Sequence, residues 1–323
     1  MNGKLDLTPA VRLPNIKRDF TSYASEGTAS GATYNNQRTY SDVLPSLGAR
    51  FKLDDRIVFF GNVTKNMRAP SNFVQSGAVS GGTIVNGALT GSTLNFNTGV
   101  DKETSLSFES GVRYFGESFN ASATAFRTNF SNRLATSYDP ISATSRDLNV
   151  GGVRLQGLEA EIGTKPVGGF SYYGSVTLND SKILDDYRNS ASTTLPTSGK
   201  KLPDFPSVMV GASVQYSAGP YLVALSGKYV ASSFSTLVND EQVSGYTTFN
   251  LNAAYRFESS TFFKNTTLRF NMSNILNKRY LLLNAGSGSS LQTTIDTTKT
   301  GAGQPTYYVG APRFASITLS SDF

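Results

Sequence analysis

The chain has 323 residues, 38% of them hydrophobic, with 30 Gly, 21 Phe and 16 Tyr, no Trp, no Cys, no His and a net charge of +6. The missing His and Cys exclude a His-based hydrolase, a thiolate metal site and a disulfide framework, and no basic run is dense enough for nucleic acid. No window approaches the roughly eighteen uninterrupted apolar residues of a membrane helix, so any crossing of a bilayer must be made by strands.

Taken in chain order, Met1 is followed by no basic segment, apolar segment or small-residue cleavage site. The expectation is that either a leader has been removed or the chain is the C-terminal part of a longer precursor. The first strand pattern runs from about residue 4 to 20. It contains Pro9 and Pro14, which suit an edge better than a central strand, so its pairing is the least defined. Strands over about 40–53 and 56–68 meet at the tight turn Leu53-Asp54-Asp55-Arg56. Further short turns fall at Gly116-Glu117, Pro166 to Gly169, Ser217 to Pro220 and Glu258 to Asn265. Between them lie long polar loops at about 21–38, 69–103, 133–150, 183–204, 233–244 and 281–305. Short turns alternating with long loops predict an all-β, antiparallel transmembrane β-barrel, with about twelve strands near ten residues each, periplasmic turns and extracellular loops.

The alternation of side chains supports this. Leu106, Phe108, Val112 and Tyr114 share one face, and Ser107, Glu109, Gly111 and Arg113 the other. Leu158, Ala160 and Ile162 oppose Glu159 and Glu161; Phe170, Tyr172, Val176 and Leu178 oppose Ser171, Ser175, Thr177 and Asn179. One face is expected to meet lipid and the other a wet lumen. The parity breaks at Phe126 and Arg127, where a bulge or the membrane interface is expected. Aromatics gather beside the short turns, among them Phe51, Phe59, Tyr114, Phe119, Phe170, Tyr216, Tyr221, Tyr255 and Phe257, as an interfacial girdle requires. A soluble β-sandwich is the competing architecture, and the one-sided distribution of long loops argues against it.

The expected lumen-facing charges are Arg50, Lys52, Arg68, Glu109, Arg113, Glu159, Glu161, Lys228, Arg256, Arg269 and Asp322. They form either a solvated pore wall or a wall that docks a plug supplied by another part of the precursor. Glu159 and Glu161 lie about 7 Å apart on one face, but no nucleophile or His accompanies them, so neither catalysis nor a metal site is expected. Asp185-Asp186 lacks the spacing of a calcium loop, and Gly286 to Ser290 completes no phosphate-loop pattern. The last strand pattern places Ala315, Ile317, Leu319 and Ser321 on the face of the terminal Phe323, opposite Ser316, Thr318, Ser320 and Asp322.

Six segments carry a family resemblance in order: LPSLGARF at 44–51, KNMRAPSNF at 65–73, ESGVRYF at 109–115, VRLQGLEAEI at 153–162, NILNKRY at 274–280 and GAPRF at 310–314. Together they resemble the C-terminal barrel region of TonB-dependent receptors, ferric-siderophore receptors above all. The resemblance spans nearly the whole chain and implies a bacterial outer-membrane location. Barrels of this family have about 22 strands, so residues 1–323 are expected to be one receptor-like region, part of a larger barrel, with plug domain and signal peptide absent. The implied function is uptake of a ferric siderophore or similar bulky chelate, with no covalently bound cofactor and no enzymatic activity. It is energised through TonB, which acts only through the missing N-terminal part. Outer-membrane lipid and the barrel-assembly machinery are the other implied partners, with Phe323 resembling the assembly signal. By the same resemblance Arg68, Tyr138 and Tyr187 lie over the ligand chamber, and Glu109, Arg113, Glu159 and Glu161 face the plug. An autonomous twelve-stranded pore or autotransporter-type translocator is the alternative, and it requires residues 4–20 to pair with 313–323. A surface adhesin working through its loops is a further possibility.

Overall fold

The structure, a computed structural model, describes residues 4–23, 33–71, 78–80, 83–85, 88–90, 93–95, 100–139, 144–188, 194–258, 264–283 and 307–322. No helix occurs among them. The main element is one 12-stranded sheet, antiparallel throughout and ordered along the chain. Its strands are β1 Leu5–Arg12, β2 Leu44–Lys52, β3 Ile57–Arg68, β4 Glu103–Phe115, β5 Phe119–Ser131, β6 Val153–Thr164, β7 Phe170–Ile183, β8 Val208–Ala218, β9 Tyr221–Val230, β10 Tyr246–Arg256, β11 Lys264–Ser273 and β12 Phe314–Asp322. The outermost strands β1 and β12 are not hydrogen-bonded to each other.

The expected first strand divides in two. Leu5–Arg12 pairs with β2 as an edge strand, whereas Asn15–Tyr23 pairs with Thr33–Ser41 in a separate hairpin. Pro9 is tolerated because it lies on the edge, and Pro14 falls between the two segments. Other long connections also contain paired ribbons, including Leu134–Asp139 with Thr144–Asn149 and Leu281–Leu283 with Tyr307–Val309.

The turns have local causes. At Leu53 to Arg56 the Asp54 carboxylate accepts from the N–H groups of Arg56 and Ile57, both at 2.8 Å, and these donors hold its pKa below the ordinary value. In the β6–β7 turn Gly168 and Gly169 have φ of 59° and 86°, a region that residues bearing a Cβ avoid.

Register converts the alternation into two faces. Across β5, β6, β7 and β8, Ala125, Leu158, Leu178 and Val208 form one rung, and Ala123, Ala160, Val176 and Val210 the next. Large apolar side chains on this face stay exposed: Leu158 55%, Ile162 46%, Leu47 50% and Leu319 67%. Each would forgo about 1.5–3 kcal/mol if left in water, so the face belongs in lipid. By contrast, the buried hydrophobics, such as Leu44, Val153, Ile183 and Leu237, gather at the long-connection end. Among the described residues no second layer packs on the sheet to enclose a dry interior, which argues against the sandwich.

The expected bulge at Phe126 and Arg127 is absent: β5 keeps continuous register with both neighbours. Phe126 lies on the polar face because its cross-strand partner is Gly157, which leaves room for the ring; a Cβ there would come within 2.8 Å of it. Arg127 then points outward. The register irregularity lies instead between Lys264 and Thr267 in β11. Aromatics pack across strands near the short turns, with ring centroids 4.9 Å apart for Tyr114 and Phe119, 4.8 Å for Phe170 and Tyr216 and 5.1 Å for Tyr221 and Tyr255.

Candidate functional site

The second face of the sheet is polar. Arg50 pairs with Asp6 in register and in charge, its Nη2 lying 2.6 Å from the carboxylate. Glu109, Arg113, Glu159 and Glu161 share this face: Arg113 lies opposite Ser122, Glu161 opposite Ser122 on the other side, Glu159 opposite Thr124 and Glu109 opposite Phe126. Ser122 and Tyr173 donate to the two oxygens of Glu161 at 3.0 and 3.1 Å. The Arg113 guanidinium lies 4.6 Å from the centre of the Phe60 ring. Arg113, Glu159 and Glu161, with Ser122, Thr124 and Tyr173, line one depression of about 400 Å³. None of Glu109, Arg113, Glu159 and Glu161 has an ion-pair partner among the described residues. Charges of both signs therefore share one face: Arg50 and Glu161 are held by neighbours, and Glu109, Arg113 and Glu159, without ion pairs among the described residues, require water or a docked polar surface.

The long-connection end is built differently. Val150, Val153, Ile183, Tyr187, Leu195 and Leu237 form a buried cluster, extended by Phe130, Leu155, Leu202 and Val238. It ties together three connections, 132–152, 184–207 and 231–245. Tyr187 is part of this core, 4% exposed, and burial pushes its phenol up to about 12. Its N–H donates to Thr197 Oγ1 at 2.8 Å. Arg68, at the end of β3, is exposed and lies on the polar face opposite Glu103. Glu103 is engaged elsewhere, with Arg133 at 2.8 Å and the Leu134 N–H at 2.7 Å, so the Arg68 guanidinium has no ion pair among the described residues. Tyr138 lies on the strand Leu134–Asp139, but its side chain falls outside the described residues, as do Phe323 and Gly286 to Ser290. The structure thus gathers Arg113, Glu159 and Glu161 around one depression and leaves Arg68 at the end of β3 and Tyr187 in the loop core, apart from it.

Several organising residues carry no motif in the sequence. Asp42 lies between Lys65 at 2.7 Å and Lys102 at 3.1 Å, and these cations, led by the Lys65 hydrogen bond, bring its carboxyl down to about 2. Asn149 accepts from the Asp101 N–H and donates to the carbonyls of Asp101 and Asn132. Asp185 and Asp186 accept from the N–H groups of Gly152 and Ser198, and so act as loop ties. The one local signal was the set of Asn residues in polar loops: Asn132, Asn239, Asn274 and Asn277 all adopt positive φ.

Two of the segments that carried the resemblance meet in space. Asn274 is buried, donates to the carbonyls of Lys278 and Ala311 at 2.9 and 3.0 Å and accepts from the Lys278 N–H at 2.8 Å. Arg313 N–H donates to Asn277 Oδ1 at 3.0 Å. NILNKRY and GAPRF thus form the two sides of one corner, where β11 leaves the sheet and β12 enters it.

An antiparallel sheet with a lipid face, a charged wet face, short turns at one end and long connections at the other defines a membrane β-barrel wall. The family described as TonB dependent receptor-like, beta-barrel, matches residues 1–275, and the chain belongs to it. Members are outer-membrane proteins of bacteria, and the family is one of receptor and transporter barrels rather than enzymes. Similar solved structures include the ferric citrate transporter FecA in its unliganded form, with TM-score 0.66, 19% identity, 99% of this chain and 42% of that one. The ferric yersiniabactin uptake receptor FyuA from Yersinia pestis gives 0.66, 16%, 100% and 44%. The siderophore receptor PiuA from Acinetobacter baumannii gives 0.69, 18%, 98% and 40%. The chain therefore spans less than half the length of these structures. No curated protein matches it in sequence.

Proposed function

We propose that residues 1–323 are one receptor-like barrel region of an outer-membrane receptor that takes up a ferric siderophore or a similar bulky chelate, energised through TonB in the full-length protein. The observation that carries this is the polar face: Glu109, Arg113, Glu159 and Glu161 lie on one surface without ion pairs among the described residues. In our reading they face the lumen and dock a plug domain carried by another part of the protein. The Arg68 guanidinium, without an ion pair among the described residues, suits an anionic chelate, which it can hold by charge-assisted hydrogen bonds, and Tyr138 lies over the same chamber. Tyr187 shapes that chamber from within the loop core. Phe323 serves as the assembly signal. Ferric citrate, ferric yersiniabactin and siderophores are the ligands named for FecA, FyuA and PiuA, and they favour this substrate class. No covalent chemistry is involved.

The autonomous twelve-stranded pore finds less support, since β1 and β12 are unpaired with each other. The test is uptake of radiolabelled iron by cells expressing the full precursor, with and without TonB, from ferric citrate, catecholate and hydroxamate complexes. Uptake that requires TonB is expected. Absence of uptake for every ferric chelate, together with a steady conductance from the refolded chain in planar bilayers, would overturn it in favour of the pore.

A further inference from the structure

The lipid face does not stay apolar to its extracellular end. Beyond the rung Ala125, Leu158, Leu178, the next rung on that face reads Arg127, Gln156, Asp180, and the one after it Asn129, Arg154, Lys182. On β7 the same face carries Phe170, Tyr172, Gly174, Val176 and Leu178. That stretch of strand is about 27 Å long, and a tilt of about 35–45° reduces it to roughly 20 Å, close to the ~25 Å apolar band of an outer-membrane barrel. The two charged rungs therefore sit at headgroup depth in the outer leaflet.

On these two rungs the cations Arg127, Arg154 and Lys182 outnumber the carboxylate Asp180. The Nε atoms of Arg127 and Arg154 converge on a single neutral acceptor, Asn129 Oδ1, at 3.5 and 3.4 Å. Arg154 stands directly opposite Lys182, a like-charge arrangement that weakens a sheet unless an anion joins it. The one carboxylate on these rungs, Asp180, pairs with Lys201, accepts from Gln156 Nε2 at 3.2 Å and also feels the charge of Lys182, so it is shared between Lys201 and Lys182. Arg127, Arg154 and Lys182 make no ion pair among the described residues. On the rung of Asn129, Arg154 and Lys182, the neighbouring strands β4 and β3 carry Leu106 and Lys65, and Lys65 is paired with Asp42.

We propose that Arg127, Arg154 and Lys182 form a docking site for the phosphate groups of an outer-leaflet glycolipid. Two guanidiniums and an ammonium supply the fork-shaped and point-charge donors that phosphate takes. The exposed side chains of Leu158 and Leu178 lie directly below them on the same face, with Phe108 beside Arg127, and offer a track for acyl chains. That continuity selects a lipid over free phosphate.

The site is tested by native mass spectrometry of the whole chain folded in detergent micelles, titrated with lipid A, dephosphorylated lipid A or inorganic phosphate. One saturable lipid A adduct is expected. Removing the phosphates, or making Arg127→Gln together with Arg154→Gln, is expected to weaken it by about tenfold or more, while Arg154→Lys keeps most of it. Lys182→Gln alone serves if the double variant loses its β-sheet circular dichroism, and Lys228→Gln on the opposite face is expected to change nothing. Wild-type lipid A binding by a folded Gln variant, equal binding of dephosphorylated lipid A, or displacement of lipid A by equimolar inorganic phosphate overturns the proposal.

Discussion

Tyr280 packs over Gly310 so closely that a Cβ on the glycine would meet the ring at 2.3 Å, and the Gly310 N–H donates to the Tyr280 carbonyl at 2.8 Å. The same ring stacks on Tyr246 with centroids 4.2 Å apart, so one tyrosine joins the exit of β11, the entry of β12 and the start of β10. Gly310→Ala is expected to cost about 1–3 kcal/mol by forcing the ring aside. Urea unfolding in lipid vesicles measures it, with Gly163→Ala, where the nearest atom is 3.7 Å away, as a near-neutral control.

Asn274 combines a left-handed backbone, φ 47°, with three side-chain hydrogen bonds to main-chain groups. Asn274→Ala is expected to destabilise by roughly 2–4 kcal/mol, since buried carbonyls lose their donors and the backbone is strained. Asn274→Gly relieves only the backbone. If the glycine variant recovers most of the loss, the hydrogen bonds matter little.

Asp42 gives the long-connection end an acid limit. Its carboxyl ionises at about 2 in the folded chain against 3.8 in a free chain, so its contribution is fully present above about 4 and is lost as pH falls towards 2. Exchange of the Val43 amide, which donates to Asp42 at 2.8 Å, should accelerate across that window. Replacing Lys65 and Lys102 by Met should move the Asp42 titration upward, read by carboxyl NMR. An unmoved midpoint would show that the lysines do not hold it.

Tyr187 separates packing from ligand contact. Tyr187→Ala opens a cavity in the loop core and is expected to cost about 3–5 kcal/mol locally, seen as faster amide exchange in 184–207 and 231–245 with the sheet intact. Tyr187→Phe should be close to wild type in stability and in chelate binding. Loss of binding in a stable Phe variant would restore a direct role for the hydroxyl.

Arg68→Ala in the full-length protein is expected to weaken binding of an anionic ferric chelate by about tenfold, the value of one charge-assisted contact, without affecting membrane insertion. Unchanged affinity for every chelate tested removes Arg68 from the site.

Much of this architecture was legible in the sequence. Strand positions, turn positions and the two faces follow from period-two alternation, which is local; Glu109, Arg113, Glu159 and Glu161 were placed on one face by parity, and register puts them there. Of the two readings of the parity break at Phe126 and Arg127, the bulge fails, because Gly157, the cross-strand partner that leaves room for the ring, lies far away in sequence. Tyr187 is placed over the chamber by the family resemblance, and no local pattern in its polar loop marks it as a core residue. Only the packing of three connections buries it.

The amino-acid sequence by itself determined that this chain is a membrane β-wall with a lipid side, a wet side and a loop end, because alternation and turn chemistry act over a few residues. Tertiary structure alone decided that residues 4–20 split between the sheet and a loop hairpin, that NILNKRY meets GAPRF, and that Arg127 and Arg154 converge on Asn129. Those outcomes depend on register and loop packing between segments distant in the chain, where no local pattern records which side chains will meet.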